Sequence, residues 1–534
     1  MATQIPFKTH PRRSIWMFGV EADEPTPAQR TEQERRLSER WATRVALPPI
    51  PRTEDLKLRA PRIKPPAALA EFCRTDNYER ALHTKGDRLK EIRGEFENPP
   101  DLVAHPRTEQ ELEAIVEWCS DKGYAVVPYG GGSSSANGVT PPDGWDGIVT
   151  VDMDQFDRVL EIDETSRAAR IQAGVYGPHL EDQLRPHGYT LRHFPQSFAG
   201  STLGGWVATR SGGHFATNHT HIDDFVESTR MLTPSGWWES RRLPGSGAGP
   251  SPDRMVIGSE GTLGIITEAW MRIQRRPQFR ATAGARFPSW EQGYEATRQI
   301  VQAKLWPANL RLLDPELAQG SAGLDGEHAL LIISFESADL AQDWPIRQAV
   351  EIARANGGIV DDADILTSSG GEPTGRGGAV GTWRDAFIPR GTDAAAGIGT
   401  VGGTVETSIT WERWPEFDRR VRAALHAALD EVCGGGTVNC RFTHVYTDGP
   451  APYYTYAGRY REGLTAEDAY AVRKAGLDAF IEHGGTVTHH HAVGRLHRPW
   501  YDRQRPELFA RALRAAKREV DPNWVMNPGV LLDP

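Results

Sequence analysis

Cysteine is scarce. Cys73, Cys119, Cys433 and Cys440 are the four in 534 residues, scattered too widely for a disulfide framework, so a reducing cytoplasmic setting is expected. No apolar window approaches the roughly 18 residues a membrane span needs, and no cationic start leads into an apolar run. Neither a spanning helix nor a secretory leader is expected, and any membrane contact would be peripheral. The closing Leu531-Leu532-Asp533-Pro534 is not a peroxisomal or retention address. Basic excess is lacking too: the formal net charge is −10 and no basic block interrupts it, which argues against a nucleic-acid partner. What is there, 25% charged and 39% apolar residues, is ordinary for a soluble globular chain long enough for two or three domains.

Residues 1–97 are rich in Arg, Glu and Pro. Pro27 to Val45 predicts a polar helix, and the proline-containing run after it an extended arm over the surface, with no chemistry that outweighs a structural role. Order begins near Asn98. Thr108 with Glu111 is a capping box, and Leu112, Ile115, Val116 and Cys119 give a helical stripe that stops at Gly123. Ala125-Val126-Val127-Pro128 then predicts a buried strand running into Tyr129-Gly130-Gly131-Gly132-Ser133-Ser134-Ser135. Glycines let backbone N–H groups approach an anion and serines add donors, so this order reads as a phosphate cradle; a plain turn is the alternative. No Lys-Ser/Thr pair follows, so it is not a P-loop.

Short β-rich runs and a helix near His179 to Leu184 lead to a second small-residue stretch, Pro195-Gln196-Ser197-Phe198-Ala199-Gly200-Ser201-Thr202-Leu203-Gly204-Gly205-Trp206-Val207-Ala208-Thr209-Arg210-Ser211-Gly212-Gly213. A third is Ile257-Gly258-Ser259-Glu260-Gly261-Thr262-Leu263-Gly264-Ile265-Ile266-Thr267-Glu268. Each couples small residues with an apolar run able to anchor it in a sheet, and either alone could be a structural turn. Three cradles in one region call for a large ligand.

Further on, Ser289 with Gln292 opens a helix, His328 to Phe335 predicts a strand and Ala338 to Ala355 a helix, and Thr367 to Gly381 a glycine-rich loop. Gly397 to Gly402 matches a dinucleotide fingerprint without the preceding strand or following helix, so no nicotinamide site is expected. A helix over Trp414 to Val432 precedes strands carrying Cys440-Arg441 and Pro452-Tyr453-Tyr454-Thr455-Tyr456, an aromatic run more often found in cores than in sites. Thr465 with Asp468 caps a helix that Gly484-Gly485 stop, and Thr486-Val487-Thr488 then predicts a strand leading into His489-His490-His491. On a strand His489 and His491 would share one face and His490 the other. The competing reading is a surface or metal-scavenging run; zinc is disfavoured because no Cys or further His stands at a familiar spacing. No metal site is expected.

The three small-residue stretches, in this order, resemble the vanillyl-alcohol-oxidase-type (PCMH-type) FAD enzymes, and within them the alkylglycerone-phosphate synthases. Ser201 to Arg210 and Gly258 to Gly264 are similar to those synthases almost letter for letter, and the resemblance covers roughly residues 90 to 534. It implies an α+β fold: a two-subdomain PCMH-type FAD-binding domain with an inserted α/β substrate cap. The division would be an arm and the start of the FAD domain in 1–97, the FAD-binding domain in 98–278, the cap in 279–485, and a segment returning to the FAD domain and active site in 486–534. FAD would be held by residues 129–135, 195–201, 208–211 and 260–266. No His or Cys stands at the usual attachment point, so non-covalent flavin is expected.

Also by resemblance, Tyr453 falls on the synthases' catalytic tyrosine and His489, His490 and His491 on their essential triple histidine, which one being the base left open. Arg390 falls on the substrate-phosphate arginine, with Arg384 as the competing choice. The implied reaction exchanges the acyl group of acyl-dihydroxyacetone phosphate for a fatty alcohol, redox-neutral through attachment to flavin N5. A lipid substrate and a homodimer are expected. Two departures stand out: Leu243-Pro244-Gly245-Ser246 replaces a loop arginine, and Ala451 replaces a cysteine two residues before the tyrosine. An FAD-linked oxidoreductase acting on a 2-hydroxy acid, and a flavin-binding protein without turnover, are the alternative readings.

Overall fold

The computed structural model describes residues 7–8, 10–42, 44–86, 88–214, 221–374, 378–387, 400–459 and 464–534. Its α+β architecture rests on three main sheets. In the first, Leu102–Ala104, Ile148–Asp152 and Ala125–Tyr129 pair in parallel, with Cys73–Arg74 antiparallel at one edge. These parallel strands are almost wholly apolar because both faces are covered. Helix Glu109–Lys122, capped by the Thr108 hydroxyl and ended by Gly123 in the left-handed region, lays Leu112, Ile115, Val116 and Cys119 on one of them. The open edge is covered by the distant C-terminus: Val126 N–H donates to the Val525 carbonyl and Asn527 N–H to the Val126 carbonyl, both at 2.8 Å.

The second sheet is antiparallel, in the order Val159–Asp163, Ala168–Gln172, Ile265–Arg272, Val226–Thr233, Gly236–Glu239. The third has seven strands, in the order Leu366–Ser368, Phe279–Phe287, Ala329–Ser337, Asn309–Leu313, Gly436–Val445, Pro450–Arg459, Thr400–Glu406, every pair antiparallel. Helices Trp290–Gln302, Asp343–Ala355, Trp414–Cys433 and Ala466–Glu482 cover one of its faces, burying Leu310, Leu312, Cys440, Phe442, Val405, Tyr454 and Tyr456. Side chains alternate along a strand, so Arg311, Arg441, Tyr453 and Glu406 are sent to the other face. There Arg441 and Glu406 both lie opposite Tyr453 in register. One sheet face thus serves the main core; on the other, Leu313, Leu330 and Ile332 pack under helix Pro315–Ala322, and Arg311 reaches the His214 carbonyl.

Three expectations are corrected. The N-terminal segment is no mere surface arm: Ile15, Trp16 and Met17 are buried with Leu56, Ala81, Leu82, Ile92 and Phe96 in a small core of their own. The run after Ser201 is a helix, Leu203–Thr209, rather than a strand. Part of the glycine-rich stretch forms helix Gly378–Phe387. Because Trp16 is 1% exposed, Trp16→Ala is expected to destabilise the fold by about 3–5 kcal/mol, the usual scale for emptying an aromatic site. Urea unfolding measures this.

Candidate active site

Residues 486–491 form a bent loop, which corrects the predicted strand. The cause is Glu406. The N–H groups of His489, His490 and His491 all converge on its carboxylate, at 3.0, 3.2 and 3.1 Å, and the Thr488 hydroxyl donates to it as well. Successive N–H groups of a strand point opposite ways, so a strand could not deliver all three to one anion. A concave run of backbone N–H groups can. Ala492 at φ 69° closes the bend. Two clues were available in the sequence: three adjacent histidines need a counter-charge, and Glu406 ends a strand on the face opposite Val405.

The three imidazoles are consequently turned inward, with side chains only 4%, 17% and 17% exposed, so the tract is not a surface run. The His489 Nε2 meets the Tyr446 hydroxyl at 2.5 Å, and its Nδ1 meets His490 Nδ1 at 3.0 Å. Tyr453 stacks on His490 with centroids 6.0 Å apart and meets His491 edge-on at 5.3 Å. The Arg441 guanidinium lies 4.1 Å from the Tyr453 ring centroid. His444 and His221, both passed over in the sequence, pack 4.9 and 4.6 Å from His489. Ring nitrogens of His444, His489 and His490 lie within 4.8 Å of one another, close enough for one metal ion to bridge. A second such group, His105 with Asp152 and Asp154, is already an ion-pair network: carboxylate partners outweigh burial and raise His105 to about 10.

Burial dominates the electrostatics. It drives His444 and His489 well below the ordinary histidine range and His491 to about 3, where Glu406 opposes it. These rings are therefore neutral proton acceptors at pH 7. Burial likewise pushes Glu406 upward, but the facing histidines overcome it and hold the carboxyl well below its usual range. His193 and His214 are also held low by burial. For each of these histidines the unfolded chain binds the extra proton below about 6.5, so stability is lost as pH falls through that window. Glu260, raised to about 7 by burial, works in the opposite sense between its unfolded pKa of 4.5 and 7. The lowered histidines, with His221 and His497 among them, outnumber the opposing Glu260 and His105, so a lower melting temperature is expected at pH 5 than at pH 7, checked by calorimetry.

The first-half stretches meet this cluster. The carbonyl of Arg210 accepts from His221 Nδ1 at 3.0 Å, and the Gly213 carbonyl accepts from His444 Nε2 at 2.8 Å. A Cβ on Gly212 would sit 2.8 Å from His444 Cε1 and 3.4 Å from His490 Cβ. The tract is also tied to the third stretch: the Glu260 carboxylate accepts from the N–H groups of Val493 at 2.8 Å and Gly494 at 2.7 Å.

One cavity of about 100 Å³ draws on all three stretches, through Tyr129, Gly130 and Ser134; Thr202, Gly204, Gly205, Ala208 and Thr209; and Glu260, Gly261, Gly264, Ile265 and Ile266. Other expected contacts serve the walls. The Ser201 hydroxyl donates to the Ser197 carbonyl and accepts from Trp206 Nε1, Ser211 bonds His193, Thr262 caps the Ser259 carbonyl, and Arg210 pairs with Asp223. Gly131 and Gly132 let the loops interlock: a Cβ on Gly131 would overlap the Gly200 carbonyl oxygen, and Gly132 sits at φ 67° against the Tyr129 ring. Ser133 and Ser135 continue that loop, and Pro195 accepts from Phe198 N–H in the turn that contains Gln196. Arg390 lies outside the described residues, as does the side chain of Arg384.

Two family models match the chain, an FAD binding domain over residues 100–240 and the C-terminal domain of FAD linked oxidases over 276–531. An alkyldihydroxyacetonephosphate synthase of Caenorhabditis elegans is 30% identical over 477 residues, covering 84% of this chain and 79% of the relative. The chain belongs to the alkyldihydroxyacetonephosphate synthase family. A solved structure of such a synthase superposes with a TM-score of 0.77 at 25% identity, covering 93% of this chain and 92% of the other. The glycolate oxidase subunit GlcD of Bacillus subtilis (strain 168) is 26% identical, covering 82% of this chain and 91% of the relative. As in its family, the cofactor of this synthase-family chain is FAD. The cavity shared by the three glycine-rich stretches fits the diphosphate portion of such a ligand, because it offers close backbone approach and hydroxyl donors.

Proposed function

We propose that this chain exchanges the acyl group of acyl-dihydroxyacetone phosphate for a fatty alcohol, an FAD-dependent step of ether-lipid synthesis without net oxidation. The observation that carries the reading is the triple histidine nested on Glu406, set against residues 210–213 with Tyr453 stacked on it. The hydrogen to be removed lies beside a ketone and an ester oxygen, so a positioned base is required. An imidazole from His489, His490 or His491 takes that proton, and the Glu406 carboxylate stabilises the imidazolium formed. Tyr453, oriented by His490, His491 and Arg441, passes a proton between the site and the departing or entering oxygen. FAD would be held non-covalently by residues 129–135, 195–201, 208–211 and 260–266, and would supply the covalent catalysis that lets carboxylate leave before alcohol enters. Arg390 is the proposed fork-shaped partner of the substrate phosphate.

The FAD-binding domain is proposed to span 98–278, the cap 279–485 and the site-bearing return segment 486–534. A cytoplasmic homodimer in peripheral contact with lipid is proposed as well; exposed Leu508 and Phe509 on one helix, Trp344 on another and Leu340 just before it support the lipid contact. No helix of the described residues is long and apolar enough to cross a membrane. Vesicle flotation and light scattering test these two points.

Purified holoenzyme is offered acyl-dihydroxyacetone phosphate and labelled fatty alcohol. Labelled ether product without peroxide is expected; lasting flavin bleaching by a 2-hydroxy acid without ether product would overturn the reading. That second outcome is the alternative favoured by the metal-compatible spacing of His444, His489 and His490, and metal analysis of the protein bears on it. His489→Ala, His490→Ala and His491→Ala, made separately, are each expected to keep flavin absorbance and lose turnover by about 100-fold, the scale of a lost general base. Wild-type rates in all three would remove the tract from the chemistry.

A further inference from the structure

The N-terminal segment reaches the back of the first glycine-rich loop through one side chain. Ser14 to Gly19 form a tight turn in which Ser14 N–H donates to the Gly19 carbonyl at 3.0 Å, and Trp16, buried with its Nε1 on Glu24 at 2.9 Å, pins it. The turn delivers Arg13 to a point 117 residues away in sequence. There its Nη1 donates to the Gly130 carbonyl at 3.1 Å and to the Tyr176 hydroxyl at 2.9 Å, and its Nη2 to the carboxylate of Asp152 at 2.5 Å. The Tyr176 hydroxyl also donates to the Gly130 carbonyl, at 3.4 Å. Asp152, fully buried, is the register partner of Tyr129 and is further held by His83 Nε2 at 2.9 Å. His83 in turn packs 4.3 Å from the Tyr129 ring.

This geometry is more than anchorage of an arm. In a trans peptide the carbonyl of Gly130 and the N–H of Gly131 point opposite ways, so fixing the first fixes the second. A cation and a phenol on the outer side of that peptide send the Gly131 N–H away from the arm. A cation whose charge is already matched by Asp152 does this without attracting the anion to the wrong side of the loop.

We propose that Arg13 is a positioning residue for the flavin diphosphate: the N-terminal arm, through Arg13 and Tyr176, sets the backbone of the loop that receives it. The inference rests on the reading of residues 129–135 as part of the flavin site. Its test is titration of apo-protein with FAD, followed by flavin fluorescence and by the rise in melting temperature that FAD produces. Arg13→Lys keeps the charge for Asp152 but gathers its donors on one nitrogen, which does not span the acceptors that Nη1 and Nη2 reach separately, and Tyr176→Phe removes one hydroxyl. Each is expected to weaken FAD binding about tenfold, the scale of one lost charge-assisted hydrogen bond, and to shrink the FAD-induced rise while the apo melting temperature stays near wild type. A purely structural role would lower the apo melting temperature and leave FAD affinity unchanged, and that result would overturn the inference. If Arg13→Lys does not fold, Tyr176→Phe decides alone. Gly131→Ala separates the two readings: wild-type FAD affinity in that variant would sink the loop assignment itself, whereas its loss beside unaffected arm variants would sink only the role of Arg13.

Discussion

Glu406→Gln lowers turnover at least about 100-fold while the purified protein stays yellow, measured as labelled ether product per bound flavin. The carboxylate accepts from three consecutive backbone N–H groups and the Thr488 hydroxyl. An amide of the same shape offers one oxygen to those donors and turns its NH₂ on the others, leaving buried N–H groups without an acceptor. Losing charge-assisted bonds of this kind costs about 1.5–3 kcal/mol each, so the loop must rearrange and carry its imidazoles with it. The charge matters to the chemistry as well, because a proton taken by a buried imidazole needs a nearby anion. About 2.7 kcal/mol on the barrier is already 100-fold in rate. FAD binding within about threefold of wild type is expected, since no FAD-stretch residue bonds to Glu406. Glu406→Asp, which keeps the charge but shortens the reach, is expected to recover part of the rate. Equal rates in wild type and Glu406→Gln would show that the nest is only structural.

Gly131→Ala is expected to give protein that purifies without flavin and binds added FAD at least about 100-fold more weakly. The added Cβ would overlap the Gly200 carbonyl oxygen and crowd Ser201 Cα, both backbone, so no side-chain rotation relieves it. The first and second glycine-rich stretches must then separate, and the cavity they share opens. Overpacking of this kind costs about 1–3 kcal/mol in a well-packed interior, and separation of the loops removes ligand contacts besides. Flavin absorbance per protein and the FAD dissociation constant of apo-protein measure the outcome. Gly123→Ala, with nothing within 4 Å of its added Cβ, serves as the control: it keeps its flavin and is strained only by φ 66°.

The three glycine-rich stretches are legible in the sequence because their pattern is local. A strand, then glycines, then serines is a pattern within a dozen residues, and the interlocking of Gly131 with Gly200 is a condition that only glycine meets. The helix ends at Thr108, Ser289 and Thr465 were legible for the same reason, each cap hydroxyl reaching an N–H three residues on. The histidine tract was seen, but its conformation was misread: Thr486-Val487-Thr488 has strand propensity, and a carboxylate 83 residues earlier overrides it. His444, Tyr446 and His221 had no local signal, since single aromatic residues on strands usually fill cores. Arg13 lay in a proline-rich segment whose composition suggests a surface arm, and only Trp16, burying itself, brings it inward.

By itself, then, the order of residues determined that this chain carries three glycine-rich loops of the kind that can cradle a phosphate, and places its histidines late. Which charges face which was decided only on folding. Glu406 meets His489 to His491, Glu260 meets Val493 and Gly494, and Arg13 meets Gly130 because sheets and a buried turn bring distant backbone together. A carboxylate taken out of water must find donors wherever the packing supplies them, and sequence distance does not enter that requirement.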